Sequence, residues 1–361
     1  MSCSFLTVAY RGSYNCFYGL LFARRRPLKA DQILRALPAH AQRTVAAFLR
    51  QELPGRSWSD VRRLIKSRQV MIDGNLCLDE GRRLRGTEVV KLLTHPTAPP
   101  PREEDVRIRY LDAHLVVVEK PARMTSVRHA EEQSWSRRRK QIQPTLEDVL
   151  PQAIAKKLSR GQRGRRGGPP GKLPPVRPVH RIDRDTSGLM VFARTRAAEQ
   201  HLAQQFRRHT TGRRYLAIVQ GKLASQTIES NLVRDRGDGR RGSTLLPDLG
   251  RRAVTHVKAI EQLGDYTLVE CRLETGRTHQ IRIQLADLGH PLCGETVYNK
   301  PLNGPAISDK SGAPRLALHA AELSFDHPLT GEHLRFEMPL AADLAAFLDM
   351  LRRHSRERHD A

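Results

Sequence analysis

Between His95 and Asp105 the chain reads HPTAPPPREED, with four prolines in eleven residues. Proline fixes its own φ and has no amide hydrogen to donate, so such a stretch neither continues a helix nor sits inside a sheet. It reads as a semi-rigid spacer. This feature divides the 361-residue chain into a short front part and a long rear part, compatible with the ~100–200 residues a compact domain commonly takes. We place a disordered basic extension over 1–40, a small domain over 41–93, the linker over 94–105, a larger domain over 106–345 and a basic tail over 346–361.

Lys and Arg number 62 against 38 Asp and Glu, a formal net charge of +24. That excess points to a polyanionic partner, a nucleic acid before an anionic membrane surface. No apolar run approaches the ~18 residues of a membrane span. The early run Cys16 to Ala23 is followed by Arg24-Arg25-Arg26, the reverse of the charge order in a secretory signal. Residues 1–30 contain no acid, which fits a basic arm or an over-early start codon better than an organelle-targeting peptide. Cys3, Cys16, Cys77, Cys271 and Cys293 are an odd set without a C-x-x-C pair. They argue against a disulfide framework or a cysteine zinc site, and the reducing cytoplasm is the expected compartment.

In the front part, Ser57-Trp58-Ser59-Asp60 predicts a capping box that opens a short helix. Val61, Leu64 and Ile65 give this helix an apolar face; Arg62, Arg63, Lys66 and Arg68 give it a basic one. Val70-Met71-Ile72, the turn signal Asp73-Gly74 and Asn75 to Leu78 predict a hairpin, and Val89 to Leu93 a further strand. In the rear part, Val106 to Tyr110 and Leu115 to Val118 read as strands. Lys156 to Val179 carries eight basic residues and no acid among many glycines and prolines, which reads as a flexible basic loop over 156–179.

The chemistry concentrates in Val179-His180-Arg181-Ile182-Asp183-Arg184-Asp185-Thr186-Ser187-Gly188-Leu189-Met190-Val191-Phe192. Leu189 to Phe192 is a buried strand, and Thr-Ser-Gly before it is a tight turn in which Gly188 permits positive φ. A carboxylate between two arginines at the mouth of a strand stays ionised, ready to act as nucleophile or base. On these residues alone, a structural salt-bridge cluster is the stronger reading.

The segment H-R-I-D-R-D-T-S-G closely resembles the active-site motif of RluA-family RNA pseudouridine synthases. Two more segments stand in the family's order: Gly212 to Gly221 resembles its basic-x-Tyr-x-Ala strand, and Leu273 to Arg282 its T-G-R-x-H-Q-hydrophobic-R segment. Gly289-His290-Pro291-Leu292, Gly294, Tyr298 and Leu316 to Ala320 match as well, so the likeness spans residues 106–340. The front domain resembles the small RNA-binding module of ribosomal-protein S-four type, whose basic helix presses on RNA phosphates; here that role would fall to Arg62, Arg63, Lys66 and Arg68.

The resemblance implies an α+β protein: a catalytic domain around a mixed, mostly antiparallel sheet, with a small α+β RNA-binding domain in front. It implies a monomeric isomerase that converts specific uridines to pseudouridine in structured RNA, foremost large-subunit ribosomal RNA, without cofactor or metal. Asp183 would be the catalytic carboxylate, attacking either the uracil ring or the ribose carbon. Tyr215 would stack on the target base and help remove the proton at the new carbon–carbon bond. Arg282 would pair with Asp183, and Arg181 would enter the stack vacated by the flipped uridine. Without the resemblance, Tyr215 would read as core, and the alternation of Gln280, Arg282 and Gln284 as a solvated strand face. His180 and His279 read as structural hydrogen-bonding groups. Arg123 stands where the family has glycine, which predicts an altered turn. The competing functional readings are a non-catalytic RNA-binding assembly factor and a magnesium-dependent nuclease.

Overall fold

The computed structural model describes residues 31–359, except 74, 95, 97–100, 129–131, 136–139, 141–142, 162–172, 238–239, 245, 247 and 301–304. The chain forms two compact units, Met1–Pro99 and Pro100–Ala361.

The front unit contains β1 (Gln32–Arg35), α1 (Val45–Glu52), α2 (Trp58–Lys66), β2 (Val70–Ile72), β3 (Asn75–Leu76) and β4 (Val89–Leu92), with sheet order β1-β4-β2-β3. The capping box forms: the Asp60 amide donates to Ser57 Oγ and the Ser57 amide to the Asp60 carboxylate. Val61, Leu64 and Ile65 then pack against Phe48 and Leu49 of α1 and Val70, Ile72, Val90 and Leu92 of the sheet. The predicted hairpin pairs Met71 with Leu76 and Ile72 with Asn75; Gly74 lies outside the described residues. β1 corrects the expectation of a disordered extension over 1–40. Gln32 to Arg35 pair with Leu92 to Val89, and Asp31 accepts from the Thr94 amide and hydroxyl. Residues 1–30 of that extension lie outside the described residues.

The rear unit runs β5 (Arg107–Leu111), β6 (Leu115–Lys120), α3 (Leu146–Gly161), β7 (Arg177–Pro178), β8 (Ser187–Ala193), α4 (Arg196–Arg208), β9 (Gly212–Gln220), β10 (Gln226–Val233), β11 (Gly242–Thr244), β12 (Arg251–Leu263), β13 (Tyr266–Leu273), α5 (Gln280–Asp287), β14 (Leu318–Asp326), β15 (His333–Glu337) and α6 (Ala342–His359). Among the described residues its sheet has eleven strands, ordered β11-β10-β12-β13-β9-β14-β8-β6-β5, with β15 on β14 and β7 on β8. Among the described pairings only β8 with β14 is parallel, so the sheet is mixed and mostly antiparallel as expected.

β8 is buried along its whole length because both faces are covered. Met190 and Phe192 enter one core with Val116, Val118, Ala217 and Leu318; Leu189, Val191 and Ala193 enter another with Leu115, Val117, Leu202 and Phe325. Such a strand carries apolar residues without alternation. Gly188 has φ 123, and a Cβ there would lie 2.2 Å from the Ala320 carbonyl oxygen. The close parallel seam therefore requires glycine.

Two further boundaries shift. The basic loop placed over 156–179 loses its start to α3: Lys156 pairs with Glu103 at 2.9 Å, and Lys157 Nζ donates to the Ile108 carbonyl. Residues 162–172 of that loop are outside the described residues. The tail placed over 346–361 is mostly α6, whose Leu344, Phe347, Leu348 and Leu351 pack on Ile218, Leu263, Leu268 and Ala317. Basic residues in its last turns obscured an i, i+3, i+4, i+7 apolar stripe.

Candidate active site

Asp183 sits in the connection that leads into β8, and its neighbours on both sides are tied down. Ile182 exchanges hydrogen bonds with the buried Ser126 hydroxyl, its carbonyl accepting at 2.6 Å and its amide donating at 3.3 Å. The Arg184 carbonyl accepts from Lys120 Nζ at 3.0 Å, and the same ammonium also donates to the carbonyls of Pro121 and Met124. Burial draws the Lys120 ammonium down to about 7, opposed by the charges of Asp185 and Asp183. Arg123, in the turn between those carbonyls, adopts φ 68. Arg123 thus holds a left-handed conformation despite its Cβ, which costs L-residues about 1–2 kcal/mol.

His180 confirms its structural reading. The Val191 amide donates to its Nε2 at 3.0 Å, and the ring stacks on Phe206 with centroids 4.3 Å apart. Burial, then the Arg213 charge, pushes His180 down to about 3, so the imidazole is neutral and able to accept.

The Asp183 side chain, 15 % exposed, faces a cleft of about 470 Å³ lined by Arg181, Phe206, Arg207, His209, Arg213, Tyr215, Arg277, His279 and Arg282 among others. That size lies within the ~300–1,000 Å³ common for small-ligand sites. Five arginines against one carboxylate make its wall electropositive. Arg282 Nη1 stands 3.5 Å from Asp183 Oδ2, and His279 Nε2 3.7 Å from Oδ1. Tyr215 on β9 is nearly buried beside them; burial is the first cause that pushes its hydroxyl up to about 12, with the Asp183 charge contributing. The sequence-predicted residues Asp183, Tyr215, Arg282 and Arg181 therefore line one cleft. Arg62, Arg63, Lys66 and Arg68 belong to the front unit and lie elsewhere on the chain.

Arg282 is not on a solvated strand face. It lies on α5, with Gln280, Arg282 and Gln284 all buried. The polar alternation mimicked a strand, but each amide finds partners: Gln280 Nε2 donates to the Val254 carbonyl and Thr255 Oγ1, and Gln284 Nε2 to the Ala253 carbonyl. α5 is entered through His279 at φ 58, a left-handed position that turns the chain into the helix. The His279 Nδ1 and Tyr298 hydroxyl are hydrogen-bonded at 2.5 Å. Burial is the main influence lowering His279 despite nearby Asp183.

The residue the sequence left without a role is Glu295. Its carboxylate is 0 % exposed and takes the Arg282 Nε and Nη2 hydrogens at 2.8 Å each. Burial opposes the Arg282 charge, but Glu295, then Asp183, more than offset it and drive the guanidinium further up. The only signal in the sequence was its place between matched Gly294 and Tyr298. Among the described residues, no group of three or more His, Cys, Asp and Glu side chains is arranged to hold a metal ion.

Comparison with known proteins identifies the family. The family model for RNA pseudouridylate synthase matches residues 114–287. Ribosomal large subunit pseudouridine synthase D of Zymomonas mobilis is 37 % identical over 263 residues, covering 72 % of this chain and 77 % of its own length. An RNA pseudouridine synthase of Bacillus subtilis, YlyB, is 35 % identical over 82 % of this chain and 91 % of its own. In fold, human RNA pseudouridylate synthase domain containing 4 superposes with TM-score 0.50 at 23 % identity, over 68 % of this chain and 92 % of its own. The protein is an isomerase that acts on RNA. The chain belongs to the RluA-type RNA pseudouridine synthases.

Proposed function

We propose that this enzyme converts uridine to pseudouridine in large-subunit ribosomal RNA, with Asp183 as the attacking carboxylate. The observation that carries the reading is the Asp183 carboxylate: it stands on a backbone tied down on both sides, lines an electropositive cleft and has the Arg282 guanidinium 3.5 Å away. Ribosomal RNA is favoured by relatives named as large-subunit synthases. The cytoplasm and a monomeric state complete the proposal.

The target uridine leaves its stack and enters the cleft, a step that costs a few kcal/mol of unstacking. Arg181, exposed at the rim, fills the vacated place in the helix. Asp183 attacks either the uracil ring or the ribose carbon, the glycosidic bond breaks, and the base turns and rejoins through carbon five. With its hydroxyl held near 12, Tyr215 is a neutral phenol at physiological pH. We assign it to stacking on the base, and to the final proton removal only as a hydrogen-bonding partner.

The front unit supplies affinity. Its α2 presents exposed Arg62, Arg63 and Lys66, with Arg68 at the turn that follows at φ 66. This arrangement suits an S-four-like module pressing on RNA phosphates.

The test is Asp183→Asn, which keeps the shape of the side chain but removes its nucleophilicity. RNA affinity is expected to persist, and tritium release from carbon five of uridine to fall more than about a thousandfold. Turnover above that level overturns the assignment. Asp185→Asn is the control; Asp185 is engaged by Arg184 at 3.2 Å and is expected to be dispensable for chemistry.

A further inference from the structure

The guanidinium beside Asp183 is shared unequally. Glu295 takes the Nε–Nη2 edge with two bonds of 2.8 Å, whereas Asp183 is approached by Nη1 at the longer ion-pair distance of 3.5 Å. Glu295 is itself fixed: the Val297 and Tyr298 amides donate to its Oε1 at 2.8 and 3.3 Å. Gly294, immediately before it, has φ 77, and a Cβ there would lie 2.2 Å from the Arg315 carbonyl oxygen. The loop can therefore press inward and deliver Glu295 under α5. Tyr298 closes the arrangement, its ring 5.2 Å from the Arg282 guanidinium and its hydroxyl bonded to His279.

An arginine with no competing partner grips a carboxylate through two parallel N–H groups. Such a fork on Asp183 would occupy both oxygens of the group that has to attack. We propose that Glu295 is a positioning residue: by occupying the bidentate edge of Arg282 it presents a single N–H to Asp183, so that the carboxylate is oriented without being locked. This rests on Asp183 being the attacking group. It assigns to Glu295 no contact with RNA.

The test compares Glu295→Gln and Glu295→Asp with the wild-type protein in single-turnover reactions on an RNA hairpin substrate. In the glutamine variant one acceptor oxygen becomes an NH₂ group, and Arg282 is freed to turn its fork toward Asp183. The expected result is a saturated rate lowered about 10–100-fold, the range usual for loss of a group that orients a reacting residue. RNA Kd should stay within about twofold of wild type. The acid limb of the rate–pH profile should move to lower pH, because positive charge beside Asp183 is no longer compensated by Glu295. The other groups that act on Asp183, namely His279, Lys120, Tyr215 and Tyr298, are the same in every variant. Glu295→Asp keeps the charge with a shorter reach, and is expected to recover part of the rate with the acid limb at its wild-type position. It also serves if the glutamine variant fails to fold. A lowered Tm with an unchanged rate per folded molecule and an unmoved acid limb overturns the proposal and leaves Glu295 a packing residue. A wild-type rate for the aspartate variant together with a destroyed fold for glutamine overturns it too. Failure of the underlying reading is seen separately, as turnover by Asp183→Asn.

Discussion

Arg282 and Arg62 carry the same charge in opposite settings. Arg282 is 7 % exposed, bound edge-on by a carboxylate with no exposure at all. Arg62 is 57 % exposed and meets Glu80, itself 44 % exposed, at 3.3 Å. Between them stands Arg214 of β9, 16 % exposed, which donates from Nε to Glu322 at 2.8 Å. The series separates two uses of arginine. A buried guanidinium has one orientation and can direct a neighbouring group, but it depends on its partner. An exposed one is screened and mobile, suited to attracting phosphate wherever phosphate is found.

The comparison breaks most visibly at Arg282. Replacing it with Met leaves Glu295 buried without a counter-charge, a defect that commonly costs about 3–5 kcal/mol. Arg282→Met is therefore expected to lose both turnover and thermal stability, not turnover alone. Adding Glu295→Leu should restore most of the Tm, since an apolar replacement of a buried pair is often neutral or better, while turnover stays lost. A single variant as stable as wild type would show that the pair is not isolated from water.

The intermediate case is sharpened by pH. Burial opposes the Glu322 charge, but the hydrogen bonds and charges of Arg214 and Arg335 outweigh it and hold the carboxyl at about 2. A carboxyl depressed in the folded state adds stability that is fully present above its unfolded value, near 4.5, and is lost as pH falls toward about 2. Glu322→Gln should lower stability at neutral pH by on the order of 1–3 kcal/mol, and its acid-unfolding curve should be flatter than wild type over that window. Equal slopes would remove Glu322 from the set of groups that drive acid unfolding.

At the exposed end, Ala at Arg62, Arg63 or Lys66 should each change stability by less than about 0.5 kcal/mol. Their effect belongs to affinity: each lost phosphate contact should reduce the slope of log K against log salt by about 0.7–0.9. The saturated single-turnover rate should not move. A collapsed rate would place α2 in the chemistry and erase the contrast with Arg282.

Much of the site was legible in the sequence because its parts are local. The connection from His180 to Phe192 declares its turn through Gly188 and its buried strand through an unbroken apolar run, and the motif around Asp183 carries the family resemblance. Arg282 was placed at the site by its motif, whereas its residue pattern alone suggested the wrong element. Polar residues alternating over Gln280 to Gln284 normally mark a half-wet strand, and only tertiary acceptors such as the Val254 and Ala253 carbonyls make them tenable in a buried helix. Glu295 was silent for a related reason. Its meaning lies in a bond to a residue thirteen positions earlier, and an isolated Glu carries no periodicity. β1 and α6 were misread as extension and tail because dense basic residues masked short apolar patterns that matter only once a sheet or core is there to receive them.

The parallel seam between β8 and β14 also sets a timetable. Ser187 lies beside His319 and Gly188 beside Ala320, partners separated by well over a hundred residues, and closing so long a loop is slow and late in folding. Until β14 has been synthesised and docked, β8 lacks that neighbour, and the connection carrying Asp183 leads into an open sheet edge. During translation, the carboxylate acquires its surroundings only when nearly the whole rear unit has emerged. A partly made chain therefore has its front unit complete while the connection carrying Asp183 still lacks one of its neighbouring strands.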